Sequence, residues 1–362
     1  MKICFLITGL GVGGAEKFLL NLVPRLKFEK FVISFANSND YGKELEKKGV
    51  KVYYLGTNKI NLPMVIFKFK KIIKSEKPDI IDSYLIYANL FGRIFGKIFG
   101  IKRNISSIRS DYARFKLLRF LDMISQNYVN LFILNSKALH NYVHKQNHVP
   151  VKKIKILPNA IDIKKIYNKL DRNYDVRREL CIEKDRFLLV TVGRLIKDKN
   201  ISSLIKAMKL VYEPLSLIII GDGQQRRNLI KLTKRLNLNN KIFFLGKRND
   251  VFNIINSSNV FILPSLREGM SNALLEAMTL KKVCIVSNIP QNTELIKDGF
   301  NGFIFNPKNI DELANVITKI YENKNLRNLG EKSFELIKRT YSIEKIIKKY
   351  ETIVKNLFLI NN

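Results

Sequence analysis

Two glutamates, Glu268 and Glu276, in the stretch PSLREGMSNALLEAM, carry the densest chemical signal in the chain. They follow the apolar run NVFIL at 259–263, which has the length and composition of a buried strand. Gly269 permits a tight turn after Glu268, and Ser271 suits the N-cap of a helix that would carry Glu276. The order is then a loop carboxylate at the end of a strand, open backbone N–H groups at a helix start, and a second carboxylate further along the helix. Open N–H groups at a helix N-terminus suit phosphate, and carboxylates suit hydroxyl groups. A ligand with phosphate beside polyols is a sugar nucleotide. A solvated surface helix with two charges would give the same spacing, so the rest of the chain has to decide.

A second cluster reads Thr191-Val192-Gly193-Arg194-Leu195, followed by Lys199 and Asn200. Gly193 ends a buried strand, Arg194 offers a rigid fork of donors for phosphate oxygens, and Lys199 offers a mobile point charge at the start of a helix. Such a pair can neutralise a diphosphate leaving group without a metal, although both are drawn from 64 basic residues. Near the start, Gly9-Leu10-Gly11-Val12-Gly13-Gly14 matches G-x-G-x-x-G between a strand and a helix, the pattern of a dinucleotide site. An NAD site calls for an acid at the end of the second strand. The sequence there reads Ala36-Asn37-Ser38, with Asp40 late. A nicotinamide-dependent oxidoreductase stays open as an alternative, as does a glycine turn that serves packing alone. There is no D-x-D, no G-x-S-x-G and no G-K-[ST], so a metal–diphosphate clamp, a hydrolase triad and an ATPase lack a starting point. His140, His144 and His148 would share one face of a continuing helix and could hold a metal. Pro150 disfavours helix just before it and no carboxylate lies nearby, so packing is expected there, and neither a metal nor another cofactor.

The elements that must position these residues are short apolar runs alternating with amphipathic segments. Expected strands lie at 3–8, 31–36, 50–55, 80–83, 103–108, 131–135 and 155–157, and a second series at 187–192, 217–221, 242–245, 260–263 and 283–287. Buried strands alternating with helices mean an α/β fold with parallel sheets covered on both faces. Each series opens with a strand running into a glycine turn, at Gly9 and at Gly193, and the polar stretch 163–185 separates them. The expectation is two Rossmann-like domains, 1–162 and 163–342, facing across a central cleft, with a last helix at 343–359 packing back on the first.

Lys and Arg number 64 against 31 Asp and Glu, a net charge of +33. A balance so basic draws polyanions, either nucleic acid or an anionic membrane leaflet. In the first half, cations interleave with large apolar residues at 64–77, 91–103 and 112–120, which suits interfacial helices. No nucleic-acid reader motif accompanies the charge, so an anionic membrane surface is the expected partner and nucleic acid is not. No apolar run reaches membrane-span length, and the N-terminus reads as a first strand and turn. The three cysteines, Cys4, Cys181 and Cys284, fall in or near apolar runs and read as buried, reduced thiols. A cytoplasmic protein held at the inner face of the cell membrane is expected.

Taken together, GGAE after the first strand, VGRL with its following Lys199, IIGDG within 218–223, FLG at 244–246 and PSLREGMSNALLEAM occur in an order that resembles glycosyltransferase family 4, retaining enzymes of the GT-B fold also described as glycosyl transferases group 1. The resemblance spans nearly the whole chain and is more specific in the second half. It implies that Arg194 and Lys199, beside Gly193, grip the donor diphosphate, and that Glu268 contacts the sugar hydroxyls with help from backbone amides of Gly269, Met270, Ser271 and Asn272. It implies that Glu276 binds the ribose, that backbone around Lys247 and Arg248 reads the base edge, and that Gly13 and Gly14 let the first domain close over the phosphates. Family members commonly carry a histidine after the strand at 103–108. Here Arg109 stands there, with Asp111 beside it, and Tyr84 and Tyr87 stand where similar sequences often show histidine. Arginine cannot act as a base at neutral pH, so Arg109 is expected to bind an anionic acceptor such as the phosphate of a lipid carrier. The implied activity is metal-independent hexosyl transfer with retention, from a nucleotide sugar, a UDP-sugar before others, to a lipid-linked or surface-polysaccharide acceptor. A protein that kept the fold for membrane or polyanion binding without chemistry is the remaining alternative.

Overall fold

The computed structural model describes residues 1–11, 13–56, 61–110, 116–146, 148–323 and 326–359. The chain divides into two compact units, Met1–Ala160 with Ile343–Asn362, and Ile161–Ser342. Asp162, expected in the first domain, lies in the second unit because its carboxylate caps the helix Ile163–Tyr167, accepting from Lys165 N at 2.9 Å.

The first unit holds seven parallel strands: β1 (Lys2–Ile7), β2 (Glu29–Ser34), β3 (Lys51–Tyr54), β4 (Ile80–Tyr84), β5 (Arg103–Ile108), β6 (Leu131–Leu134) and β7 (Ile154–Ile156). They lie in the order β3-β2-β1-β4-β5-β6-β7. Alternate residues of β1 face opposite layers, as a strand's two-residue period requires. Ile3, Phe5 and Ile7 meet the helices Gly14–Leu22 and Ile343–Leu359, through Phe18, Leu22, Ile346 and Tyr350. Cys4 and Leu6 meet the helices Leu62–Glu76 and Ile86–Ile98, where Phe69 and Phe91 pack edge to face at 5.1 Å. A third helix on that face, Lys116–Ser125, is bolted on by charge: fully buried Arg93 pairs with Asp122 at 2.7 Å and donates from Nε to Ser106 Oγ at 2.9 Å. The last helix is held in the same way, since buried Arg103 donates to the carbonyls of Leu357 at 3.2 Å and Phe358 at 2.8 Å, two orphan acceptors of a helix end.

These contacts correct one reading of the basic segments. Within 91–103, Arg93 and Arg103 point inward to make those bonds and Phe91 belongs to the core, while Ile94, Lys97 and Ile98 face out. Cys181 is also exposed, unlike Cys4 and Cys284, because it leaves the helix Val176–Glu179 in a left-handed turn with φ 52°. The histidines do not share a continuing helix. The helix Ala138–Asn141 widens into a π-type turn over Tyr142–Gln146, and His148 has φ 56°. His144 Nδ1 lies 2.8 Å from the Val149 carbonyl, and among the described residues no group of three or more His, Cys, Asp or Glu could hold a metal ion.

The second unit holds β8 (Phe187–Val192), β9 (Leu215–Ile220), β10 (Ile242–Gly246), β11 (Val260–Leu263), β12 (Val283–Ser287) and β13 (Phe303–Phe305), all parallel, in the order β10-β9-β8-β11-β12-β13. The edge strand β13 is the one strand the sequence pattern did not foresee. It is only FIF, three residues bounded by Gly302 and Asn306. Helices Ile201–Leu210 and Ile310–Glu322 cover one face and Val251–Ser257 and Asn272–Thr279 the other. In both sheets the chain builds outward from its first strand and then returns to the other side of it. The strand order therefore reverses between β1 and β4 and between β8 and β11, and the carboxyl ends of such strands are where open α/β sheets bind ligands.

Candidate active site

Beside the reversal in the second sheet, the loops after β8 and β9 are fastened together by their backbones. Gly193 N donates to the Ile220 carbonyl at 3.0 Å, Leu195 N to Asp222 at 2.9 Å, and Gln225 N to Leu195 at 2.8 Å. This lacing needs glycine at two places: Gly221 has φ 130° and Gly223 φ 159°, and a Cβ on either would strike the backbone of Gly193 or Leu195. That is the physical content of the IIGDG pattern. It holds the loop after β8 rigid and leaves Arg194 exposed, its side chain without an ion pair or hydrogen bond among the described residues.

Lys199 ends a single 3-10 turn, Lys197–Lys199, and Asn200 then turns left-handed with φ 51° before the next helix begins. The Lys199 stem lies alongside Gly193, where a Cβ would sit 3.6 Å from Lys199 Cε. Its ammonium pairs with Glu268 Oε1, and Ser265 Oγ donates to the same oxygen at 2.7 Å. The loop after β11 is anchored alongside, with Leu266 N donating to the Asp198 carbonyl at 2.8 Å. Beneath it, Ser287 Oγ donates to the Ser265 carbonyl at 2.5 Å and Asn292 Nδ2 to Ser287 Oγ at 3.0 Å. The helix Asn272–Thr279 follows. Ser271 caps it by accepting from Leu274 N at 3.3 Å, and Gly269 and Met270 form the approach to its N-terminus.

The structure thus brings Gly193, Lys199 and Glu268 into one group, with Arg194 on the same loop. Glu276, on the capped helix, is buried at 5% exposure and is engaged within the protein. Lys247 is exposed just after β10. Arg248 is bound into a cluster, at 2.6 Å from both Glu179 and Asp250, with Tyr174 Oη donating to Glu179 at 2.8 Å. Its side chain is thereby committed to holding its own loop. Hydrogen bonds from Arg248 keep Asp250 and Glu179 below the usual carboxylate range. Ser265 and Ser287 were not singled out from the sequence. A serine after a strand is too common to notice, and only the fold turns Ser265 toward Glu268.

The first unit differs at its own reversal. Gly13 is extended, with φ −160°, and opens the helix Gly14–Leu22 with no side-chain cap. Leu85, just past β4, has φ 71° and ψ 155°, a region that is essentially glycine's and marks strain. Asp82 is fully buried and accepts from Ser107 Oγ at 2.8 Å, Tyr350 Oη at 2.8 Å and Tyr84 Oη at 2.9 Å. Burial pushes its carboxyl up to about 6, against the pull of those hydroxyls and of Arg109. Arg109, expected to face an acceptor, is buried. Its guanidinium is buried 3.8 Å above the Phe18 ring and 5.2 Å from the Tyr84 ring, and it donates to Asn159 Oδ1 at 3.3 Å. Nε and Nη2 are sealed from solvent and have no hydrogen-bond partner among the described residues. Asp111 lies outside the described residues. The strand that would complete an NAD site, β2, is followed by Phe35, Ala36 and Asn37, and Asp40 begins the helix Asp40–Lys47, so no carboxylate stands where a ribose would need one.

Comparison with known proteins agrees with this geometry. The Glycosyltransferase Family 4 model matches residues 12–165 and the Glycosyl transferases group 1 model residues 174–335. The chain is 28% identical over 333 residues to an Escherichia coli UDP-Gal:alpha-D-GlcNAc-diphosphoundecaprenol alpha-1,3-galactosyltransferase, covering 85% of each. It is 26% identical over 354 residues to an N-acetylgalactosamine-N,N'-diacetylbacillosaminyl-diphospho-undecaprenol 4-alpha-N-acetylgalactosaminyltransferase of Campylobacter jejuni, covering 90% of this chain and 92% of that one. The crystal structure of Anabaena HepE in complex with UDP-glucose shares the fold, with a TM-score of 0.87 at 21% identity, over 98% of this chain and all of that one. Two Rossmann-like parallel-sheet units of the GT-B class, a cation–carboxylate group at the second reversal and both family models place the chain in the family 4, group 1 glycosyltransferases, and it is an enzyme of that kind.

Proposed function

We propose that the protein transfers a hexosyl group with retention from a UDP-sugar to a lipid-linked or surface-polysaccharide acceptor at the cytoplasmic face of the membrane, without a metal ion. One observation carries this reading: Lys199 and Glu268 meet at the carboxyl ends of β8 and β11 beside an exposed Arg194 and a capped helix N-terminus. A diphosphate needs cationic and N–H donors, and a hexose needs a carboxylate. Both stand there within one laced set of loops. UDP complexes and lipid-diphosphate acceptors among the similar proteins support the same donor and acceptor classes.

In this reading the bond between the anomeric carbon and the donor phosphate oxygen breaks, and its electron pair goes to the departing UDP. Arg194, Lys199 and the amides of Gly269 to Asn272 stabilise the charge that grows there, as preorganised donors do at an oxyanion. The acceptor hydroxyl bonds to the anomeric carbon on the face that UDP leaves. Its proton passes to a phosphate oxygen of the leaving group, so no side-chain base is consumed. Glu268 accepts from the sugar hydroxyls and keeps the ring in line. Glu276 accepts from the ribose, and backbone near Lys247 reads the base.

A panel of nucleotide sugars tests this by thermal stabilisation and slow donor hydrolysis, with Arg194→Ala and Glu268→Ala as controls. One UDP-sugar should stabilise the wild type and be turned over, in the presence of a chelator, and each variant should lose turnover. Stabilisation by NADH and by no UDP-sugar would refute it.

A further inference from the structure

We infer that the outer face of the three-helix layer Leu62–Glu76, Ile86–Ile98 and Lys116–Ser125 docks on an anionic lipid bilayer. The inference rests on the reading of a lipid-linked acceptor and gives that reading a place on the molecule. The three helices are one layer, joined by the Phe69–Phe91 contact and by the buried Arg93–Asp122 pair. Their inward sides are ordinary core. Their outward sides are not ordinary surface.

Large apolar side chains stand in water there: Phe67 at 68% exposure, Ile98 at 63%, Leu117 at 70% and Phe120 at 58%, with Ile94 and Ile124 alongside. Isolated exposed apolar residues need no explanation, but a cluster on neighbouring helices marks an interaction surface. The charge between them has one sign. Lys70, Lys71, Lys74 and Lys97 are exposed. The acids of these three helices are Glu76 and Asp122 alone, and both are buried and neutralised, Glu76 by Lys2 and Lys51 at 2.5 Å each and Asp122 by Arg93. No carboxylate of the three helices therefore faces out. The helix Ile310–Glu322 of the second unit, by contrast, mixes an exposed Asp311 with its one lysine, Lys319, in the usual way.

This combination selects the partner. A second copy of the chain would set lysine against lysine. A nucleic acid would use the lysines but leave Ile98, Leu117 and Ile124 without a partner. A bilayer with anionic headgroups uses both, since phenyl and aliphatic groups enter the acyl boundary while lysine stems lie along it and hold their ammonium groups at the phosphates. No helix among the described residues is long and apolar enough to cross a membrane, so this attachment is to one leaflet.

The test is co-sedimentation of the full chain with vesicles of phosphatidylglycerol and phosphatidylcholine, against phosphatidylcholine alone. The wild type should partition to the anionic vesicles and respond to salt. Phe67→Gln with Phe120→Gln removes two exposed rings that no fold contact needs, and should lower partitioning by about tenfold or more. Lys70→Glu with Lys74→Glu should do so by a similar factor, roughly fivefold or more for each reversed charge. Circular dichroism and the thermal shift with UDP-sugar should match the wild type in both variants. Wild-type protein that stays in solution, or variants that sediment as the wild type does, would overturn the inference. So would a concentration-dependent dimer abolished by the phenylalanine changes. A donor-active enzyme that ignores vesicles sinks this surface alone, and a vesicle-bound protein that recognises no nucleotide sugar sinks the donor reading alone.

Discussion

The two sheets end their central strands with the same ingredients, a carboxylate and a cation, and use them in opposite ways. In the second unit, Glu268 and Lys199 sit on loops at the mouth of the sheet with exposed Arg194 beside them. In the first, Asp82 is within β4, fully buried, and Arg109 follows β5 with its guanidinium closed between Phe18 and Tyr84. Surroundings decide the difference. Arg109 also lies past the end of its strand, but the Phe18 and Tyr84 rings close over it, whereas Arg194 after β8 stays exposed. The open pair stands on loops at the sheet's mouth, with 19% of the Lys199 side chain and 9% of the Glu268 side chain exposed. The closed groups are each held fast, Asp82 by the hydroxyls of Ser107, Tyr84 and Tyr350, and Arg109 by two rings and Asn159. One is chemistry held ready and the other is a rivet between the sheet and the last helix, through Tyr350.

Removing the open cation should do more damage to activity than to the fold. Lys199→Ala is expected to lower kcat/KM with the donor by about 10²- to 10³-fold, the scale of a lost donor at a developing oxyanion. Lys199 and Glu268 keep only 19% and 9% of their side chains exposed, so denaturant stability should also fall, by about 1–2 kcal/mol, with Ser265 still donating to the carboxylate. Steady-state kinetics beside urea unfolding would separate the two. A large loss of stability would make Lys199 structural and erase the contrast.

Arg109→Ala should behave the other way round. It empties a volume stacked on two rings and leaves Asp82 without its cation, so a loss of roughly 3 kcal/mol in unfolding free energy is expected. The KM for acceptor in the folded fraction should stay within about twofold of wild type, since the guanidinium is sealed from solvent. A raised acceptor KM with unchanged stability would return Arg109 to the acceptor site.

Ser265→Ala sharpens the comparison from within the open site. The hydroxyl and Lys199 share Glu268 Oε1, so its loss frees the carboxylate to swing while sparing the ammonium. A charge-assisted hydrogen bond of this kind is worth about 1.5 kcal/mol, so donor KM should rise by roughly tenfold with kcat little changed. Ser265→Thr, which keeps the hydroxyl, should recover most of it.

Most of the architecture was legible because it rests on periodicity. Twelve of the thirteen strands were foreseen, most of them as short apolar runs, and the boundaries moved by a residue or two. β13 escaped because three residues carry no period. The open half of the site was legible for a related reason: Glu268, Lys199, Arg194 and Gly193 follow directly on strands that the pattern already placed. The closed half was not. Arg93, Arg103 and Arg109 look the same in sequence as the outward lysines around them, and only tertiary partners at Asp122, the last helix and Asn159 show that they turn inward. Asp82 hides in IIDS for the same reason.

The smallest effect tests whether Asp82 belongs to the closed half at all. Burial raises its carboxyl from 3.8 to about 6, with Ser107, Tyr350, Tyr84 and Arg109 pulling it back. A folded value above the unfolded one means the native state binds the proton more tightly. The stability this group contributes is then fully present below about pH 4 and is lost as pH rises through about 6. Other carboxylates work in the opposite sense. Glu76, held near about 2 chiefly by Lys2 and then by Lys51 and Tyr53, stabilises above its unfolded value of 4.5 and fails only in strong acid. Raw stability against pH therefore mixes the two, and the difference between wild type and Asp82→Asn isolates one. Asparagine fills the same space and keeps an oxygen for the hydroxyls but does not titrate. Relative to that variant, the wild type should lose roughly 1 kcal/mol between about pH 5 and pH 8. Urea midpoints for both proteins across that range would show it. A flat difference would mean that Asp82 is as wet as Glu268, and the two halves would then differ in sequence position but not in physics.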